Sequence, residues 1–524
     1  MMYRKLFLYC LLSSIASFTL HASYPYAYLY KDLPFSMPRV ELPKIPKRQV
    51  LLTDFGGVSD GKTLNTEAFD KALTHLAAKG GGKLVVPFGV WYTGPIVLRS
   101  NINLHLEKGA FILFASDKSL YPLVNTTYEG QETRRCQSPI SGRNLQNIAI
   151  TGQGVINGSG EAWRPLKRAK VTEGQWRSFL NSGGVLKTKD YWVPSESSLK
   201  GELLAEKGWK PEGGVMTDAL WEEIRDYLRP VMVSLVNCKN VLLQGVMFEN
   251  SPSWNIHPLM CENIIVDGVF VRNPSYAQNG DGIDLESCRN AIVVNSTFDV
   301  GDDAICLKSG KDEEGRRRAR PTENVLVDNC IVLRGHGGFV VGSEMSGGVR
   351  NVSVTNCKFV GTHVGLRFKS TRGRGGVVEN IYVRNVSMVN ILNEAFLFDL
   401  YYGLRPTGAP DKQPVTEATP VFRNIYVTDI ISRNANKAIF FNGLPEMNIS
   451  NINVRNATFT TRLGAELSES DGVNFQNVRI EPAEGPALIL NNVKNFKAEG
   501  FTYPEGMEVP VVKKGNANAN IEIK

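Results

Sequence analysis

Beyond its first twenty residues, the sequence contains no long apolar run. The chain has 524 residues, and no later segment approaches the roughly 20 apolar residues that a membrane-spanning helix needs. A helical membrane protein is therefore excluded. The early apolar run, residues 6–20, follows Arg4 and Lys5 and precedes a cleavage point after Ala22. These features predict that residues 1–22 are a signal peptide and that the protein works in the periplasm or outside the cell.

The sequence also lacks the clustered cysteines of a metal site. Of eight cysteines, one lies in the predicted signal peptide, and the other seven are widely spaced. They are Cys136, Cys238, Cys261, Cys288, Cys306, Cys330 and Cys357. We interpret most of them as small buried apolar residues. Because exported proteins can form disulfides, one or two disulfide bonds are the alternative interpretation.

Positive charge exceeds negative charge only slightly. The chain has 59 Lys and Arg against 52 Asp and Glu, a formal charge of +7 that falls to +5 without the signal peptide. This balance suits an acidic polysaccharide as partner, and no nucleic-acid partner is expected. The basic stretch RRRAR, residues 316–320, fits either a solvated loop or part of a binding surface.

A six-residue phrase recurs along the chain: Asn, apolar, any residue, apolar, any residue, then Asn, Asp or Gly. From the second clear copy onwards, neighbouring copies are 23 to 44 residues apart, and most steps are too short for a propeller blade of about 40 residues. Each unit holds short alternating strands and is too small to enclose a core alone, so the units must stack. The sequence therefore predicts an all-β fold, a parallel β-helix with one coil per repeat. The clear copies begin at Asn147, Asn240, Asn263, Asn290, Asn324, Asn351, Asn380, Asn424 and Asn451.

Two segments depart from the repeat. Residues 65–82 show an amphipathic helical pattern that ends in glycines, which predicts a helix capping the open end of the coil stack. The gap between the first two copies predicts an insertion at about residues 158–230, rich in Trp and Lys. It suits either a substrate-cleft wall or a surface subdomain. The expected organisation is an extended segment at 23–46 followed by one β-helix domain at 47–524.

Ionisable residues recur at one phase of four consecutive coils. Counted from the repeat Asn, they lie 12 to 18 residues on, and neighbouring strands are about 4.8 Å apart, so the side chains are expected within about 15 Å of each other. The set comprises Asp281, Asp302, Asp303, His336, Arg367 and Lys369.

These residue types suit glycoside hydrolysis. That reaction needs one protonated carboxyl for the leaving oxygen and a second carboxylate that activates water or attacks. Neighbouring carboxylates raise the pKa of one member, which supplies the acid. Arg and Lys side chains suit the carboxylate of a uronic acid. For an inverting enzyme, the two carboxyls are expected about 6.5–9.5 Å apart.

At these positions the sequence resembles glycoside hydrolase family 28, the polygalacturonases and their relatives. The chain has NGD at 279–281, GDD at 301–303, GHG at 335–337 and RFK at 367–369. The family pattern is Asn-Thr-Asp, Asp-Asp, Gly-His-Gly and Arg-Ile-Lys, and the resemblance spans residues 54 to about 460. It implies a right-handed parallel β-helix of the pectin-lyase-like type. It also implies an inverting hydrolase that cleaves galacturonic acid linkages of plant cell-wall pectin or oligogalacturonides, without a metal or other cofactor.

The resemblance also implies a role for each matched residue. Asp302 would be the general acid, Asp281 and Asp303 would activate water, and His336 would tune the acid or contact substrate. Arg367 and Lys369 would hold the galacturonate carboxylate. The full set of expected substrate-binding residues is Arg367, Lys369, Asn279, Lys308, His257 and Trp254.

The stretches DDAICLKSG and HGGFVVGSEMSGG are similar to the bacterial exo-acting branch, in which inserted loops close one end of the cleft. An exo-acting galacturonidase is therefore expected. Gly280 and Phe368 replace the usual Thr and Ile, which leaves the exact substrate open. The alternatives are a hydrolase of rhamnogalacturonan-type linkages, a calcium-dependent pectate lyase, and a non-catalytic glycan-binding β-helix.

Overall fold

The structure is a computed structural model that describes residues 24–211, 214–404 and 411–524. The predicted signal peptide lies outside these residues. The chain forms two compact units, Met1–Ser36 and Met37–Lys524. The described part of the first unit contains a 3-10 helix at Ala27–Tyr30. No helix of the described residues is long and apolar enough to cross a membrane.

In the larger unit, short strands pair in parallel in three ladders, here named I, II and III, and each complete coil adds one strand to each ladder. Ladder I consists of Ile96–Val97, Ile140–Arg143, Val233–Val236, Ile256–Leu259, Ile283–Glu286, Asp303–Lys308, Gly337–Val341, Val364–Lys369 and Glu394–Asp399. Ladder II consists of Gln49–Leu51, Gly82–Val86, Ile102–Leu106, Gln146–Gly152, Lys239–Gln244, Glu262–Asp267, Arg289–Val294, Thr322–Asp328 and Val349–Thr355. Ladder III consists of Gly89–Thr93, Ala110–Phe114, Val155–Asn157, Met247–Glu249, Phe270–Arg272, Thr297–Asp299, Ile331–Leu333 and Lys358–Val360.

Three long bent strands continue the ladders towards the C-terminus. They are Val377–Val389, Val421–Asn442 and Ile449–Glu499, and the last pairs with Val511–Lys514 and Ala519–Ile523. Coil-by-coil parallel pairing confirms the predicted all-β, right-handed parallel β-helix.

The core runs along the axis of the coils, because the register places apolar residues directly above one another. In ladder I, Ile256 pairs with Ile283, Ile283 with Ile305, and Ile305 with Phe339, and all four side chains are buried. Burial of aliphatic and aromatic side chains in each coil stabilises the stack. The same alternation turns every second side chain of ladder I outwards, where the ionisable residues lie.

The repeat asparagines form the turns between ladders. In the nine repeat copies the asparagine has a left-handed backbone, with φ between 51° and 58°. Asparagine tolerates this region better than most residues. Its side-chain amide also donates a hydrogen bond to the asparagine of the preceding coil. Asn351 Nδ2 donates to Asn324 Oδ1 at 3.2 Å, and Asn263 Nδ2 donates to Asn240 Oδ1 at 2.9 Å. The recurring Asn therefore reflects both a strained turn and a ladder of side-chain hydrogen bonds.

The cysteines at coil spacing are buried in the core. The Cys238 amide donates to Cys261 Sγ at 3.3 Å, and Cys288, Cys330 and Cys357 follow on later coils. All seven cysteines of the described residues are unpaired thiols.

The predicted capping helix spans Thr66–Ala78 and buries Phe69, Leu73 and Leu76. It packs on the first strands of ladder II, Gln49–Leu51 and Gly82–Val86. It thus covers apolar core that the first coil alone leaves open.

The long insertion folds into helices and a small antiparallel sheet. Its sheet joins Leu166–Lys167, Tyr191–Val193 and Val185–Thr188. Its helices are Glu173–Asn181, Glu196–Glu206 and Asp218–Glu223, with 3-10 turns at Gly160–Ala162, Arg168–Lys170 and Arg225–Tyr227. Trp163, Trp176 and Trp192 are buried in its own apolar clusters. These three tryptophans hold the insertion together.

Two further elements leave the coils. A hairpin of Leu123–Tyr128 and Gln131–Cys136 precedes the insertion, and the helix Asp312–Arg318 follows the ladder I strand Asp303–Lys308. The basic stretch RRRAR lies at the end of that helix rather than in an open loop. Short 3-10 turns at Leu52–Phe55 and Lys118–Leu120 complete the elements.

Candidate active site

The site lies where three ladder I strands begin. Asp302 immediately precedes Asp303–Lys308, Asp281 lies two residues before Ile283–Glu286, and His336 immediately precedes Gly337–Val341. Asp303 pairs with Gly337 across the coils. One carboxylate oxygen from each aspartate lies within 4.8 Å of the others, so the structure brings the three together. These oxygens lie closer together than the predicted separation of about 6.5–9.5 Å, because consecutive coils stack at strand spacing.

Asp303 is an anion held by two cations. Its Oδ1 lies 2.9 Å from Arg367 Nη1 and its Oδ2 lies 2.6 Å from Lys369 Nζ. Burial acts to raise the pKa of Asp303, but Lys369 and Arg367 outweigh it and hold the pKa well below its ordinary value. The two cations predicted to hold the substrate are therefore also the partners of a carboxylate predicted to activate water.

Asp302 is the most accessible of the three aspartates, with 19 % of its side chain exposed. Its Oδ1 lies 2.9 Å from His336 Nδ1 and accepts the backbone amide of Asp303 at 3.0 Å. Burial acts to raise the pKa of Asp302, but the hydrogen bond from His336 overrides it and leaves the pKa lowered. This contact with His336 therefore favours the ionised form of Asp302.

Asp281 has the opposite environment. It is buried, and its Oδ1 has no hydrogen-bond partner among the described residues. Burial, with the negative charges of Asp284 and Asp302, raises its pKa well above the ordinary value. The sequence suggested that repulsion keeps a proton on the adjacent pair Asp302 and Asp303. In the structure the carboxyl that favours its proton is Asp281.

Beneath the aspartates lies a buried ion-pair layer around Lys308. Its Nζ lies 3.0 Å from Glu344 Oε2, 3.5 Å from Asp284 Oδ1 and 4.5 Å from the centre of the Trp254 ring. Burial raises the pKa of Asp284 to about 7, although Lys308 and His257 oppose it. This layer fixes the floor of the site.

His257 belongs to the same floor. Its Nε2 lies 2.9 Å from Glu286, whose other oxygen accepts from Arg318 at 2.9 Å. His257, Lys308 and Trp254 are at most 3 % exposed. Their polar and aromatic groups pack against each other below the surface, and contact of these three residues with substrate stays a prediction.

Asn279 shapes the turn before Asp281. It has a left-handed backbone with φ 53°, and its Oδ1 accepts from Arg229 Nη2 at 3.0 Å. Arg229 also donates to the backbone oxygens of Pro252 and Gln278. In this structure Asn279 anchors a loop.

Three site residues escaped the sequence prediction. The Tyr402 ring lies 4.9 Å from Lys369 Nζ and 5.8 Å from the Arg367 guanidinium. Lys170 Nζ, from the insertion, lies 3.3 Å from His336 Nε2, and His363 stacks on His336 with ring centres 4.7 Å apart. None of the three lies in a matched motif, so only the tertiary structure brings them to the site.

The hairpin covers ladder I on the coils before Asp281. Tyr128 stacks on Trp254 with ring centres 5.2 Å apart, and the Glu132 amide donates to Glu314 at 3.2 Å. It therefore reaches from the early coils to the helix Asp312–Arg318. On the opposite side of the site, Tyr402 is 37 % exposed. The hairpin therefore lies over Trp254 on the side of the N-terminal coils.

Comparison with known proteins agrees with the geometry. The sequence profile named Glycosyl hydrolases family 28 matches residues 222–479. A probable polygalacturonase of Vitis vinifera is 31 % identical, over 86 % of this chain and 83 % of the relative. The chain belongs to glycosyl hydrolase family 28. It is therefore a glycoside hydrolase.

Two further family 28 relatives are bacterial. An exo-poly-alpha-D-galacturonosidase of Dickeya chrysanthemi is 28 % identical over 87 % of this chain and 75 % of the relative. The crystal structure of an exopolygalacturonase from Thermotoga maritima is 34 % identical, covers 83 % of this chain and 93 % of that chain, and superposes with a TM-score of 0.68.

The Lys308 layer predicts a specific acid sensitivity of this family 28 chain. Burial acts to raise the pKa of Glu344, but the positive charges of Lys308 and Lys369 outweigh burial. The pKa of Glu344 is lowered from 4.5 to about 2. A lowered carboxyl pKa stabilises the fold above pH 4.5, and this stabilisation is lost as pH falls from 4.5 towards 2. The substitution Glu344→Gln should lower the free energy of unfolding at pH 7 by about 3 kcal/mol.

It should also flatten the decline of stability below pH 4.5, measured by urea unfolding across pH. The matched control is Glu484→Gln, which removes an exposed ion pair with Arg462 and should change little. Parallel pH curves for Glu344→Gln and the wild type would contradict the prediction.

Proposed function

We propose that the protein is an exo-acting polygalacturonase, an inverting hydrolase that removes galacturonic acid from the end of a pectic chain. The observation that carries this proposal is the hairpin beside Asp302 and Asp303, which covers Trp254 and reaches Glu314. A hairpin across one end of the cleft would stop a polymer from passing through, so that only a chain end would reach the carboxylates. The names of the Dickeya and Thermotoga relatives, which are both exo-acting enzymes, support the same function.

Asp302 is the proposed general acid. It is the most accessible carboxylate of the site and the one in contact with His336. A bound sugar would exclude water from Asp302, and loss of hydration raises the pKa of a carboxyl. Substrate binding thus shifts Asp302 towards the protonated form that donates to the leaving oxygen.

Asp303 and Asp281 are proposed to hold the attacking water. Asp303 remains an anion between its two cations and can accept a proton from water. Oxygens up to 4.8 Å apart can share one water, because two hydrogen bonds of about 2.8 Å span up to roughly 5.6 Å. A water bridging these carboxylates would allow direct displacement despite their close spacing.

Arg367 is proposed to bind the substrate carboxylate while it holds Asp303. Its guanidinium has five donors; Nη1 contacts Asp303 at 2.9 Å, and 16 % of the side chain is exposed. The partly exposed Tyr402 ring beside it offers an apolar face to the sugar. A uronic acid would place its carboxylate against the remaining guanidinium donors, whereas a neutral sugar would give them no acidic partner, so this position favours a uronic acid.

We also propose that the enzyme acts outside the cytoplasm on plant cell-wall pectin or its oligogalacturonides. The charged and apolar pattern of residues 1–22 supports export. Amino-terminal sequencing of the mature protein should begin at Ser23. A mature protein that retains Met1 would contradict export by this signal.

Product analysis on a panel of pectic oligosaccharides tests the function. Oligogalacturonides should yield monomeric, saturated galacturonic acid from the first minutes, with full activity in the presence of a chelator. A ladder of product sizes would contradict exo action, and an unsaturated product would indicate a lyase. Release only from rhamnogalacturonan oligosaccharides would change the substrate. As a control, Asp302→Asn should fold normally and lose at least about 100-fold in kcat.

The anomer released first tests inversion. Hydrolysis of an α-linkage by one displacement should give the β-anomer first, observed by proton NMR before mutarotation mixes the two forms. The α-anomer as first product would mean retention through a covalent intermediate. The close spacing of the aspartates makes this measurement decisive.

A further inference from the structure

The insertion contributes one cation to the catalytic carboxylates. Lys170 ends the 3-10 turn Arg168–Lys170, and its half-buried Nζ lies 3.3 Å from His336 Nε2. Asp302 and Asp281 both act on the Lys170 ammonium through their charges. The contact spans 166 positions of sequence, so the insertion and the coil of His336 meet directly at the site.

The chemistry of the ammonium sets the state of the imidazole. A lysine ammonium has three donors and no acceptor, so His336 Nε2 must accept in this contact. The single ring proton then lies on Nδ1, 2.9 Å from Asp302 Oδ1. The result is one directed chain in which Lys170 donates to His336 and His336 donates to Asp302.

The surroundings leave this chain few alternatives. The backbone amide of His336 donates to the backbone carbonyl oxygen of Asp302 at 2.8 Å. His363 stacks on one face of the His336 ring. The backbone and His363 restrain the position of the ring, but neither contacts Nε2. Among the described residues, Lys170 is the side chain recorded on that nitrogen.

We propose that Lys170 is a positioning residue that holds His336 with its proton on Nδ1, aimed at Asp302. Without Lys170, Nε2 would face water, and the ring could turn or change its protonation pattern. The hydrogen bond to Asp302 would then be present only part of the time. Because Asp302 acts as general acid only if the proposed function holds, the role of Lys170 rests on that function.

The kinetic test compares Lys170→Met and Lys170→Arg on an oligogalacturonide. Met keeps the length of the side chain without the donor, whereas Arg restores a donor. We expect kcat to fall about 10-fold in Lys170→Met with KM changed less than twofold, and kcat to recover in Lys170→Arg. Lys167→Met, an exposed lysine of the same insertion, is the matched control and should behave as wild type.

The kinetic outcome separates positioning from substrate binding. A rise in KM with unchanged kcat in Lys170→Met would overturn the proposal, because it would mean that Lys170 holds the substrate. Unchanged kinetics would overturn it as well. Thermal unfolding of each variant verifies that the fold is retained, and Lys170→Arg covers the case in which Lys170→Met does not fold.

A spectroscopic test observes the imidazole itself. The chain has six histidines, and nitrogen-15 labelling of histidine with His336→Gln for assignment isolates the two ring resonances of His336. Wild type and Lys170→Arg should show a protonated Nδ1 and an accepting Nε2, and Lys170→Met should lose this pattern. An unchanged pattern in Lys170→Met would overturn the proposal even if kcat fell.

These measurements also separate the two proposals. If the wild-type enzyme cleaves no galacturonide but its His336 resonances respond to Lys170→Met as expected, the proposed function fails and the contact stands. If the enzyme cleaves galacturonides and the resonances do not respond, the role of Lys170 fails alone.

Discussion

Every feature of the site depends on the in-register parallel pairing of ladder I. Backbone hydrogen bonds hold successive coils one strand spacing apart, about 4.8 Å, so residues at one phase of different coils become neighbours. Asp303 above Gly337 and Gly337 above Val364 are consecutive steps of this register. A shift of one residue would turn Arg367 and Lys369 into the apolar core. The core residues of the same strand, Leu366 and Phe368, therefore also determine where these two cations point.

Close stacking places carboxylates beside each other, and cations placed between them offset their repulsion. Three carboxylates within 4.8 Å would repel each other strongly in a buried place. Arg367 and Lys369 neutralise Asp303, His336 stabilises Asp302, and Asp281 is left to favour its proton. The same device recurs below the site, where Lys308 lies between Glu344 and Asp284. Neighbouring carboxyls thus differ in protonation, which acid and base catalysis requires.

The sequence predicted the repeat and the site cluster because both depend on local spacing. The Asn of each copy and the phase of Asp281, Asp302, Asp303 and His336 are visible along the chain without knowledge of distant contacts. Burial is different, since it depends on what covers a residue. Trp254, taken from the sequence as a substrate contact, is covered by Tyr128 of the hairpin, more than one hundred positions earlier. The protonation pattern was equally hidden, because it depends on which cation faces which carboxylate.

By itself, then, the sequence determined the coil architecture, the family motifs and the set of ionisable site residues, because a repeated unit too small to enclose its own core must stack on its neighbours. Only the tertiary structure decided which carboxylate favours its proton, which side of the site the hairpin covers and which insertion residue reaches His336. These features arise between segments far apart in sequence, such as Lys170 and His336. No periodicity links those segments, and their contact follows from how the insertion packs beside the coils.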